Sequence, residues 1–140
     1  MEYSTAEYIR WVKASINHHL GSKMRDDGSD TSEYRQWVRT FQGRYAIPQT
    51  GNVDKQTQDK LIWLNHSDSR YVQWAAQSLH DYMARHNEKF WTQRLNELVK
   101  ECQMLMGCTV DGGWIGPQVE WGLRNFKLPL TKRQRPGLQP

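Results

Sequence analysis

The feature that most constrains the fold is an internal similarity. Tyr8-Ile9-Arg10-Trp11-Val12-Lys13-Ala14-Ser15-Ile16-Asn17 recurs as Tyr71-Val72-Gln73-Trp74-Ala75-Ala76-Gln77-Ser78-Leu79-His80, with Tyr, Trp and Ser in the same places. Val38-x-x-Phe41-Gln42 matches Val99-x-x-Cys102-Gln103, and Ala46-Ile47 matches Gly107-Cys108. Gly51-Asn52-Val53 then matches Gly113-Trp114-Ile115, and Leu61 matches Leu123. Blocks kept in one order at nearly constant separation predict a duplicated unit of roughly 60 residues. The expected division is residues 1–66, a more divergent copy at 67–126, and a tail at 127–140.

Each copy reads as three helices, and no segment alternates as a strand does. Ile9, Val12, Ile16 and Leu20 share one helix face, with Ser4-x-x-Glu7 as a capping box and Gly21 as the stop. Asp30-x-x-Glu33 is expected to open a second helix bearing Tyr34, Trp37, Val38, Phe41 and Tyr45. Pro48 and Gly51 break the chain, and Asp54 caps a third helix with Leu61 and Leu64. In the second copy, Asp68 or Ser67 caps a helix with Val72, Ala75, Leu79 and Met83 inward. A further helix carries Trp91, Leu95, Leu98, Val99, Cys102 and Met106 up to Gly107, and Pro117 begins the last. The fold class expected is all-α.

These residues resemble the tandem peptidoglycan-binding domain family, small three-helix modules attached to many bacterial wall hydrolases. The family pattern is D-G-x-x-G-P-x-T-x-x-A-V-x-x-F-Q-x-x-x-G-L followed by D-G-x-V-G-P-x-T-x-x-A-L. This chain is similar to it at Asp27-Gly28, Val38, Phe41-Gln42, Ala46-Ile47, Gly51-Asn52-Val53, Thr57 and Leu61. In the second half, Val99, Gln103, Gly107, Asp111-Gly112-Gly113-Trp114-Ile115-Gly116-Pro117 and Leu123 carry the resemblance. It departs from the family where Thr31-Ser32-Glu33-Tyr34 replaces G-P-x-T, where Trp37 and Lys60 occupy small-residue sites, and where Glu88-Lys89 replaces Asp-Gly. Most matched positions are turn and core residues, so the pattern speaks more to fold than to ligand. The resemblance implies a wall-binding module whose shallow groove would use Asp27, Gln42, Tyr45 and Trp114 for muropeptide hydrogen bonds and sugar stacking.

Composition narrows the function classes. The 140 residues carry a net charge of +4, with 19 basic and 15 acidic side chains. Lys127, Lys132, Arg133 and Arg135 account for all of the surplus, so residues 1–126 balance. Nucleic-acid binding needs a clustered basic footprint, so none is expected. The tail, with Pro129, Pro136 and Pro140, is expected to be a solvated end dispensable for folding. No apolar run is long enough to span a bilayer. MEYSTAEYIR has no signal-peptide core, so a cytoplasmic chain or the cargo of an assembly is expected, with the cell envelope reached only if a leader is removed.

Catalysis has no visible seat. His18 and His19 are adjacent and point about 100° apart on a helix, so they cannot easily share an ion. His80 and His86 lack partners at ligand spacing, and no metal or cofactor is expected. Cys102 and Cys108 match Phe41 and Ile47 and are expected to be buried thiols. No nucleophile elbow or phosphate loop occurs, and the chain is expected to be a non-enzyme.

Seven Trp remain as the richest functional signal. Such rings stack on sugars and anchor protein interfaces. Trp11 and Trp74 lie off the Ile9/Val12/Ile16 face and are expected to pack between the copies. Trp114, in a Gly-rich loop, is expected to be exposed, whereas Trp63 and Trp121 are compatible with core or surface. The first reading is a peptidoglycan-binding-like module that anchors cargo at a wall. The alternative is a protein-interaction adaptor of the same fold, in an intracellular complex or a phage-like or contractile injection particle, with Trp11, Trp37, Trp63 and Trp74 as interface candidates.

Overall fold

The computed structural model describes residues 5–86, 94–108, 110, 112–124 and 135–138. Among them the chain is all-helical: α1 (Thr5–Leu20), α2 (Ser32–Arg44), α3 (Lys55–His66), α4 (Ser69–Arg85), α5 (Leu95–Met106) and α6 (Pro117–Arg124), with no strand. No described helix is long and apolar enough to cross a membrane. The chain divides into two compact units, Met1–Asn65 with Pro136–Pro140, and His66–Arg135.

In the first unit α1 packs on α2, and the core gathers Ile9, Trp11, Val12, Ile16, Tyr34, Val38, Phe41, Ile47 and Leu61. Trp11 is only 1% exposed and belongs to this core, so it offers no ring to a partner. Seven consecutive residues, Trp11 to Asn17, are buried, so α1 is covered well beyond the stripe that its Ile and Val positions mark. Asn17 makes that burial tolerable by bonding inward. Its Nδ2 donates to the carbonyls of Met24 at 2.8 Å and Gly137 at 3.1 Å, and its Oδ1 accepts from Ser22 and Met24. Gly137, at φ 93, lies so close to the Ala14 carbonyl that a Cβ would overlap it.

The cap of α2 differs from the expected one. Thr31, not Asp30, accepts from the Tyr34 amide at 3.2 Å, because its hydroxyl is one residue nearer the first turn. Asp30 instead holds Arg35 through two bonds of 2.9 Å. Asp54 caps α3 through the Thr57 amide at 2.8 Å, and Asp68 caps α4 through the Tyr71 amide at 3.0 Å. The cap expected at Ser4 lies outside the described residues, as do Trp91 and Glu88-Lys89.

In the second unit α4, α5 and α6 pack on one another around Tyr71, Trp74, Ala75, Leu79, Leu98, Val99, Cys102, Ile115, Val119 and Leu123. Trp74, 5% exposed, is part of this core. Its ring and that of Tyr71 are 5.6 Å apart, and the two aromatics take the place expected for Val72, which is only half-buried. Cys102 is fully buried, with its thiol pushed up to about 12 by desolvation and by Glu101. Cys108 departs from expectation and is half-exposed, since it follows the Gly107 turn at the end of α5.

The tail also departs from expectation. Arg135 is buried in the second unit, and its Nε donates to Glu120 at 3.0 Å. A solvated tail is therefore corrected to one with an inward anchor at Arg135. Lys127, Pro129, Lys132, Arg133 and Pro140 lie outside the described residues.

Candidate functional site

An open cleft of about 430 Å³ lies on the first unit, lined by Tyr45, Ile47, Gln56, Asp59, Lys60 and Trp63. Gln56, Asp59, Lys60 and Trp63 follow an i, i+3, i+4, i+7 spacing, which places them along one face of α3. Thr57, Leu61 and Asn65 are buried on α3 and turn the cleft face outward. Tyr45 enters from the end of α2, where its ring meets Phe41 at 4.8 Å. Ile47, 6% exposed, forms the apolar floor.

Two rings frame one cation. Lys60 Nζ is 5.4 Å from the Tyr45 ring centroid and 4.7 Å from that of Trp63. The rings hold the ammonium by cation–π attraction and leave its donors available to a ligand. Trp63 is 52% exposed, so part of this large side chain is open to solvent. Asp59 pairs with Lys55 at 2.7 Å, which leaves Lys60 as the cation set between the rings. The arrangement suits a ligand with a flat apolar face and a polar or acidic rim.

The groove expected from Asp27, Gln42, Tyr45 and Trp114 draws on both units, and within the first unit its three members do not share one site. Gln42 is fully buried. Its Nε2 donates to the Asn52 carbonyl at 2.8 Å and to Thr57 Oγ1 at 3.1 Å, and its Oε1 accepts from the Gly51 amide at 3.0 Å. It ties the α2–α3 loop to the core and presents nothing to a ligand. Asp27 lines a different hollow, of about 150 Å³, with Lys13, Ser29 and Tyr34 among its neighbours. The Lys13 ammonium and the Ser29 hydroxyl and amide hold the Asp27 carboxyl down to about 2. Of the three first-unit residues, Tyr45 alone lines the cleft.

Trp114 belongs to the second unit and is 47% exposed. Its ring leans on His66 at 4.8 Å. His66 Nε2 accepts from the Ile115 amide at 2.9 Å, and burial pushes the imidazole down to about 4. His66 thus serves as a neutral acceptor that holds the loop carrying Trp114. Asp111, in the same loop, lies outside the described residues.

The interface candidates separate. Trp63 is exposed in the cleft, Trp37 is half-buried against the first core, and Trp11 and Trp74 are core residues. The His18 and His19 rings lie 4.9 Å apart, tilted by 56°, and His19 Nε2 bonds Asn65 Oδ1 at 2.7 Å. Among the described residues no group of three or more His, Cys, Asp or Glu is placed to hold a metal ion. Lys60, Gln56, Asp59 and Ile47 were not singled out as site residues by sequence reasoning; the spacing of 56, 59, 60 and 63 was the available signal. No family model matches the chain, and no curated protein or solved structure matches it.

Proposed function

We propose that this chain is a non-catalytic glycan-binding module of the peptidoglycan-binding type that holds a cargo at a bacterial wall through the Tyr45–Lys60–Trp63 cleft. The observation that carries the reading is the pair of rings flanking Lys60 above an apolar floor. Trp63 stacks on a sugar face, Lys60 donates to a carboxylate of the peptide stem, and Gln56 and Asp59 meet hydroxyl or amide groups at the rim.

The two units are, on this reading, diverged copies of one three-helix repeat. Several paired features support it. Tyr8 and Trp11 have ring centroids 5.9 Å apart at 51°, and Tyr71 and Trp74 have theirs 5.6 Å apart at 50°. Ile47 donates its amide to the Gln42 carbonyl at 2.8 Å, as Cys108 does to that of Gln103 at 2.9 Å. Gly51 and Gly113 turn at φ 79 and φ 80.

Co-sedimentation with insoluble peptidoglycan sacculi tests the function. Wild type is retained, and Trp63→Ala weakens retention by roughly 1–3 kcal/mol, the usual cost of a lost aromatic anchor. Trp114→Ala leaves retention unchanged. Failure of wild type to sediment overturns the reading. A second reading, a protein-binding adaptor, is favoured by Met104 (56% exposed), Val110 (45%) and Trp114 (47%) in the second unit. On that reading sacculi retain nothing, and a partner protein covers exposed rings.

A further inference from the structure

Glu120 lies on α6 with its side chain 1% exposed. A carboxylate so buried is tolerated only when paired and hydrogen-bonded. The Tyr71 hydroxyl donates to Oε1 at 2.9 Å, and Arg135 Nε donates to the same oxygen at 3.0 Å. Arg124 stands 3.7 Å from Oε2. The Arg135 guanidinium carbon lies 4.8 Å from the centroid of the fully buried Tyr71 ring, and its own side chain is 0% exposed.

A carboxylate in reach of in-plane N–H groups, beside an aromatic face, selects a guanidinium over an ammonium. Guanidinium is planar, stacks on rings and is less strongly hydrated, so it loses less on entering a dry site. The first unit places a neutral amide at the comparable bond, where the Tyr8 hydroxyl donates to Gln58 Oε1 at 2.6 Å. The charged Glu120 is what turns this position into a cation site. We propose that Tyr71 and Glu120 form a guanidinium-binding socket whose occupant is this chain's own Arg135. Arg135 is thus a self-ligand of the socket. This inference is independent of glycan binding.

The test uses the full chain carrying Arg135→Ala. Its melting temperature falls by about 5 °C or more, because Glu120 is left buried without its main cation. Methylguanidinium, measured against its effect on wild type, raises that temperature, and methylammonium at equal ionic strength does not. The rescue is lost in the Arg135→Ala/Glu120→Gln double variant. Equal effects of the two cations, or rescue that persists without Glu120, overturn the proposal. If Arg135→Ala does not fold, NMR of wild type decides: the Arg135 Nε–H is protected from solvent exchange, and Glu120→Gln speeds its exchange. An Arg135 Nε–H that exchanges as fast as that of exposed Arg44 in wild type overturns the socket.

Discussion

The Tyr71 hydroxyl donates to Glu120 across 49 residues of sequence, and at 2.9 Å it is one of the bonds that make a buried carboxylate stable. Burial and the neighbouring Glu120 charge both push the Tyr71 hydroxyl well above its ordinary range, which favours the protonated, donating form. Tyr71→Phe keeps the ring and removes the donor. The expected loss is about 1–3 kcal/mol, the cost of leaving a buried charged acceptor short of a partner. Tyr8→Phe removes a part-buried bond to neutral Gln58 and costs about 0.5–1.5 kcal/mol. Urea unfolding of both variants checks the order; a larger loss at Tyr8 contradicts it.

Ala46 has φ 57 and is the one described residue other than glycine with a left-handed backbone. It follows α2 where its amide donates to the Gly43 carbonyl at 3.4 Å and the Ile47 amide donates to Gln42. An L-residue pays about 1–2 kcal/mol for that conformation, part of which glycine gives back through its freer unfolded chain. Ala46 is exposed, so its methyl group contributes little packing. Ala46→Gly therefore stabilises the protein by about 0.5–1 kcal/mol. An unchanged or lower urea midpoint contradicts this.

The pH dependence of stability has an identifiable source in His66. Its folded value is lowered to about 4 by burial from an ordinary 6.5. Between those values the unfolded chain binds a proton that the folded chain refuses, so stability falls as pH drops from 6.5 toward 4. Above pH 6.5 the contribution is fully present. Protonating Nε2 also removes the acceptor for the Ile115 amide. Thermal melts of wild type should decline more steeply across this window than those of His66→Gln, whose amide oxygen accepts without titrating. Parallel declines contradict the assignment. The low Asp27 value acts separately, between pH 3.8 and about 2.

The helices were legible because their apolar spacing and caps are local: Asp54, Asp68, Gly107 and Pro117 mark ends that the structure keeps. What escaped was set by tertiary packing. Gln42 looks in sequence like a polar group near a turn, yet it is the internal tie of the α2–α3 loop. Trp11 falls off the expected face of α1, yet that helix is buried beyond one stripe. Arg135 belongs to a basic, proline-containing tail, and only the buried Glu120 explains its inward turn. Two of the six residues lining the cleft were readable. Tyr45 and Trp63 stand out as rings, whereas Lys60 reads as a departure from a small-residue position until α3 sets it between them.

The most direct test of glycan recognition is an NMR titration of the full chain with a soluble disaccharide-peptide fragment of peptidoglycan. Glycan recognition at the cleft gives saturable shifts at the Trp63 indole N–H and at the backbone amides of Tyr45, Ile47 and Lys60, with the Trp114 indole unmoved. Shifts centred on Trp114, or none at any residue lining the cleft, would contradict it.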